Sequence, residues 1–269
     1  MAEQICRATL AHHGEASGES RAALGAPLVS SVILWQGASC IDGEPIVLLA
    51  SHETRPGKAN RKTGAVVQTY ILRADVHPIE AARMGQDRAI CGDCPLAGPR
   101  DGTLRGRVCY VNLGFGPNAI WRAYQAGKLP TVDPALYGVG KIVRLGAYGD
   151  PAAVPFHVWD SLLSDAAGWM GYTHQWQREG FDTRILRYCM ASTQGADLER
   201  VPAGARAFHV VPRGTRLPEG TVRCPASEEA PTHGRVQCAS CRLCGGMSQG
   251  RGRHVAIEAH GSGGLSLVS

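Results

Sequence analysis

The chain has 269 residues, 44% of them hydrophobic, a net charge of +5 and ten cysteines. A chain of this length and apolar content buries a core without staples, which excludes a small disulfide-framed fold and frees the cysteines for other chemistry. The 28 basic residues are nearly all arginine but are scattered, so a solvated surface explains them as readily as a phosphate-binding face; nucleic acid stays open as a partner.

The stretch MAEQICRATLAHHGEASGES carries charges and histidines where a secretory signal would be apolar, so a reducing cytoplasmic setting is expected. Residues 1–27 read as a flexible lead and 28–269 as one α/β domain. Between Ser31 and Ala50 two β-branched runs flank Ile41-Asp42-Gly43-Glu44, a hairpin signal. Residues 55–64 are loop, 65–72 alternate as a strand, and His77-Pro78 opens a short helix to about Gly85. The apolar runs are strand-sized, far short of a membrane span.

From Lys141 the pattern becomes strand, helix, strand. Strands are expected over 141–146, 169–172, 183–190, 207–211 and 254–259, with helices over 155–167 and 196–201. That alternation calls for a parallel sheet, read here as a (β/α) barrel or partial barrel with an N-terminal β-hairpin. In such folds chemistry gathers beyond the carboxyl ends of the strands. Those ends read Tyr148-Gly149-Asp150, Tyr172-Thr173-His174-Gln175, Ser192-Thr193, His209 and His260-Gly261-Ser262. Asp150, His174 and His260 are the candidate acid/base or substrate-holding groups, with Tyr148 and Ser192 as cofactor contacts.

Two cysteine-rich loops, at 91–109 and 224–246, carry the strongest chemical signal. Cys238-Ala-Ser-Cys241-Arg-Leu-Cys244 is a C-x2-C-x2-C run, and Cys224-Pro225 supplies a fourth thiol. Two-residue spacers let one tight turn aim successive thiolates at a common centre, as iron–sulfur proteins do, and three close cysteines with a distant fourth favour a [4Fe-4S] cluster. Four thiolates also satisfy tetrahedral zinc, which leaves a zinc site as the alternative. The earlier loop holds Cys91-Gly-Asp-Cys94-Pro95 and then Cys109, three thiols whose fourth partner is Cys189, Cys40, a histidine or nothing.

The progression Lys62-Thr-Gly64, Cys91-Gly-Asp-Cys94-Pro95, Cys109-Tyr110-Val111, Val143-Arg-Leu-Gly-Ala-Tyr-Gly-Asp150, Trp159 and Gly171-Tyr-Thr-His174 resembles uncharacterised tailed-phage and prophage proteins similar to the phage gene-product-eighty-eight proteins. The resemblance covers roughly residues 55–262 and implies a phage origin, and with it the cytoplasm of a bacterial host and a metal-bearing α/β fold; it brings no established activity. A looser similarity is to radical S-adenosylmethionine enzymes, whose partial (β/α) barrels hold a three-cysteine [4Fe-4S] cluster at the strand-end face. This chain lacks their C-x3-C-x2-C spacing, so S-adenosylmethionine is not carried over. The expectation is an iron–sulfur protein with one or two clusters and redox or radical chemistry on a small-molecule or macromolecular substrate. The other reading is a zinc-stabilised nucleic-acid-binding protein.

Overall fold

The computed structural model describes residues 31–259, apart from 54, 56, 250 and 251. The lead read over 1–27 and His260 therefore lie outside the described residues. Among the described residues nine strands form one sheet in the order β1-β2-β3-β4-β5-β6-β7-β9-β8. β1 (Ser31–Ala38) and β2 (Pro45–Ser51) make the expected hairpin, and β3 (Val67–Arg73) continues it antiparallel. From β3 onward every pairing is parallel, through β4 (Ile142–Tyr148), β5 (Gly168–Thr173), β6 (Met190–Gln194), β7 (Ala207–Val211) and β9 (His254–Glu258), with β8 (Thr221–Arg223) outermost.

Among the described residues the sheet is open, and closure into a barrel is not seen. β1 and β8 are its two edges, and the β1 edge is partly covered where Ile33 bridges Thr131. Before β5, both parallel crossovers carry helices. α5 (Phe156–Leu163) links β4 to β5 and packs Val158, Trp159, Leu162 and Leu163 into the core, with the Trp159 indole N–H donating to Pro151 O at 2.9 Å. Earlier helices precede it: α1 (Pro78–Arg83), which opens at His77-Pro78 as expected and is capped by the His77 side chain, α2 (Arg88–Cys91), α3 (Gly116–Gln125) and α4 (Pro134–Gly138). Between β5 and β7 the connections contain short 3₁₀ turns.

One of those turns corrects the expectation of a strand over 183–190. Residues Thr183–Arg187 form a 3₁₀ turn because the Asp182 carboxylate accepts the Arg184 N–H at 3.1 Å and starts it, so β6 begins only at Met190. The strand read at 207–211 is as expected, and that at 254–259 ends one residue sooner, at Glu258.

Two local features shape the inner face of the sheet. β4 bulges against β3 between Gln68 and Tyr70, with Gly146 at φ +62, a backbone state that glycine adopts without strain. The Thr69 hydroxyl repairs the interrupted ladder, accepting from Gly146 N at 2.9 Å and donating to Arg144 O at 2.9 Å. The second feature is a wedge. β5 pairs with β6 only at Tyr172 and Thr173, and at the start of the two strands the Cys244–Met247 segment lies between them. Gly171 N donates to Cys244 O at 3.0 Å and Met247 N to Leu186 O at 3.0 Å. Gly246, at φ +65, passes so close to the Tyr188–Cys189 peptide that a Cβ there would sit 2.6 Å from it.

Candidate metal centre

The bulge and the wedge leave a cavity of about 920 Å3 along the inner face of the sheet. Alternate residues of successive strands make its wall: Tyr70 on β3, Arg144 and Tyr148 on β4, Met170 and Tyr172 on β5, Ser192 on β6, Phe208 and Val210 on β7, Val255 and Ile257 on β9. The period of two that puts one face of each strand inward therefore builds a continuous surface from six strands. Seven cysteines border it: Cys91, Cys94 and Cys109 from one region, Cys224, Cys238, Cys241 and Cys244 from the other.

The first group is assembled by backbone hydrogen bonds. Cys91 ends α2, and Cys94 N donates to Cys91 O at 3.1 Å before the 3₁₀ turn Pro95–Ala97. Cys109 is drawn to the same turn, with its N–H donating to Leu96 O at 2.9 Å. Burial pushes the Cys91 thiol well up, helped by the charges of Asp87, Cys94 and Cys109, and pushes Cys94 to about 12. These are protonated thiols in the free chain, so ligation would release protons. Asp87, Arg107 and Tyr148 lie within electrostatic reach of Cys91, and among the described residues the Tyr148 hydroxyl, Nε and Nη2 of Arg107 and Oδ2 of Asp87 are buried without partners, as is Nε2 of His174, which borders the same cavity.

The second group is drawn from three places. Cys224 follows β8 and donates its N–H to Ala256 O at 2.7 Å. The one-turn helix α6 (Cys238–Cys241) is docked on the loop before β3, where Cys238 N and Ala239 N donate to Lys62 O and Thr63 O, each at 3.0 Å. Arg242 then takes a left-handed conformation at φ 54, turning the chain so that Cys244 meets β5. Burial raises Cys244 to about 12, with Cys224, Cys238 and Cys241 adding to the effect and a hydrogen bond from Tyr172 opposing it. Each of the four thiols thus lies within electrostatic reach of the others. The positive charges of Arg144 and Lys62 oppose the rise at Cys238.

Among the described residues, no three His, Cys, Asp or Glu side chains are gathered around a single-ion position. In a four-iron cluster each thiolate binds a different iron at a corner of the cube, so the thiolates stand wider apart than the ligands of one ion.

The whole loop is held by one residue that sequence reading passed over. Arg206 is 4% exposed, and all five of its N–H groups are spent on backbone carbonyls of the thiol loop and its exit: Leu243, Gly246, Gln249 and Arg253. No periodicity or motif distinguishes this arginine from its neighbours Arg200 and Arg213.

The residues expected to form a rim divide. Tyr148, Asp150, Tyr172, His174 and Ser192 border the cavity. Asp150, however, is fully engaged, accepting from Thr173 Oγ1 at 2.7 Å, His174 N at 2.7 Å and Ala152 N at 3.0 Å, so it ties strand ends together. Burial raises its carboxyl to about 6, against those hydrogen bonds. Burial lowers His174 to about 4, leaving a neutral imidazole. His209 and Thr193 point to the opposite face, where they bond each other at 2.5 Å. Neither Cys40 nor Cys189 borders the cavity; Cys189 is fully buried in the core against Gly171.

A few arginines are committed to carboxylates within the fold, while most of the others are exposed. Arg73 pairs with Glu44 and Asp75, Arg100 with Asp87, and Arg223 with Glu258. Among the described residues, no helix is long and apolar enough to cross a membrane. Compared with protein-family models, curated proteins and solved structures, the chain matches none.

Proposed function

We propose that the protein binds two iron–sulfur clusters on the walls of one cavity and that the space between them holds the substrate of a redox or radical reaction. One observation carries this reading: seven thiols from segments more than a hundred residues apart border a single cavity in a three-plus-four division. The four-thiol group matches a fully ligated [4Fe-4S] cluster, and the three-thiol group leaves one iron corner without a thiolate.

The surroundings fit such a tenant. The sulfides and thiolates of a cluster accept hydrogen bonds, and the first thiol group is ringed by buried donors that lack partners, the Tyr148 hydroxyl and two guanidinium nitrogens of Arg107. At the second group the Tyr172 hydroxyl bonds Cys244, while Arg144 and Lys62 offset thiolate charge. A bound cluster would supply one-electron transfer, its potential set by these hydrogen bonds and charges. Phe208, Val210, Val255 and Ile257 keep the far wall apolar and limit water around the centres. Phage origin and similarity to radical enzymes belong to the same proposal, resting on the motif resemblance alone.

The test is anaerobic purification followed by iron, sulfide and zinc analysis and electron paramagnetic resonance of the reduced protein. A brown preparation with about eight irons and eight sulfides per chain is expected, four of each per cluster. A colourless protein containing zinc would overturn the proposal and favour a metal-clipped binding protein.

A further inference from the structure

We infer that His174 is the fourth protein ligand of the first cluster, completing the set Cys91, Cys94 and Cys109. The inference rests on the cluster reading above and adds a residue to it. Backbone tethers place the histidine. Its N–H donates to Asp150 Oδ2 at 2.7 Å, and Asp150 N donates in turn to Ile90 O at 2.6 Å, the residue before Cys91. The next side chain, Gln175, donates Nε2 to Cys91 O at 2.9 Å. Residue 174 is thus held on both sides against the segment that carries Cys91 and Cys94.

The imidazole borders the same cavity as the three thiols, and also a smaller one of about 310 Å3 that it shares with Pro95, the residue after Cys94. Its Nε2 is buried and has no partner among the described residues. Buried nitrogens ordinarily have one, so this atom calls for an occupant of the cavity. Imidazole is an established ligand of iron in sulfur clusters, where it replaces thiolate and raises the potential.

The competing candidates are spent. Asp150 uses its oxygens on Thr173, His174 and Ala152, and Cys40 and Cys189 do not reach the cavity. The Tyr148 hydroxyl is also unpartnered, but it leaves β4 beside Arg107, whose guanidinium lies 5.9 Å from its ring centre, and suits a hydrogen-bond donor to a sulfide.

The experiment compares the reduced holoprotein grown with ordinary and with nitrogen-15 histidine, using pulsed electron paramagnetic resonance to read nitrogen hyperfine coupling. A coupling that changes with the isotope is expected, and it should vanish in His174→Cys while iron stays at about eight per chain, because a thiolate restores the fourth ligand. His174→Ala should lose about half of the iron, one cluster of two. Full iron with a spectrum blind to histidine labelling would refute the ligand and leave the two-cluster proposal standing. Absence of iron from the wild-type protein would refute both.

Discussion

Replacing Arg206 by methionine removes five N–H donors from four carbonyls while keeping most of the side-chain volume. A net contribution of about 1 kcal/mol per hydrogen bond, somewhat more for a charged donor, puts the gross loss at about 5–7 kcal/mol. Part returns, because the guanidinium is buried without a carboxylate and its desolvation cost disappears with it. The expected destabilisation is about 3–5 kcal/mol, near the upper end for a single substitution. It should be local: the four carbonyls belong to residues 243–253, so the wedge between β5 and β6 should loosen before the β1–β4 half of the sheet. Urea denaturation gives the magnitude, and hydrogen exchange at Gly171 and Met247 gives the location, since their N–H groups bond Cys244 O and Leu186 O. Iron content should fall by the share of the four-thiol cluster. Arg206→Lys, with three donors in place of five, should lie between the two proteins. An Arg206→Met protein with an unchanged denaturation midpoint and full iron would refute the idea that this residue clasps the loop.

The two thiol groups should be separable: Cys94→Ser and Cys241→Ser are each expected to lose about half the iron, whereas near-total loss from either would mean that both regions feed one centre. Burial holds both His174 and His209 at about 4 against an ordinary 6.5, while Asp150 is raised to about 6 from 3.8. Between pH 4 and 6 the unfolded chain binds two protons that the folded histidines do not, and the folded Asp150 holds one that the unfolded chain does not, so stability should rise with pH up to about 6.5. Melting temperatures across that range should show this slope, and His209→Asn should flatten it; a slope of opposite sign would refute the assignment. Gly246→Ala should cost about 2–4 kcal/mol, because its Cβ would stand 2.6 Å from the Tyr188–Cys189 peptide. Gly252→Ala, with similar φ but open space around it, should cost only about 1–2 kcal/mol in the same melting assay.

What the sequence disclosed follows the range of the interactions involved. The β1–β2 hairpin was legible because Asp42-Gly43 and the flanking β-branched runs act within a few residues of each other. The strands β4, β5, β7 and β9 were legible because each is bounded by glycine, proline or charge and alternates inward and outward. The region 183–190 misled because Ile185 and Leu186 are buried as strand residues would be, yet the Asp182 cap commits the backbone to a turn. His209 was placed on the rim with Ser192, but in β7 it is Phe208 and Val210 that face the cavity, and a one-residue difference in a strand reverses the face.

The thiol motifs themselves were visible from spacing, but their convergence was not, because it depends on contacts between distant parts of the chain. Cys238 reaches the cavity because Lys62 and Thr63 accept its helix, Cys244 because β5 and β6 part at their starts, and both positions persist because Arg206, just before β7, spans the loop. Each of these contacts joins a motif to an ordinary-looking residue whose importance lies in where its backbone carbonyl or guanidinium arrives. The open sheet follows the same logic. A closed barrel would need the edges β1 and β8 to meet, whereas among the described residues they stay apart and the chain between β8 and β9 is given over to the four-thiol loop. That loop is anchored on β5 and on the segment before β3, across the face of the sheet. The cysteine-rich segment therefore crosses the face of the sheet and enters it between β5 and β6, so a metal centre placed there would sit in the cavity wall.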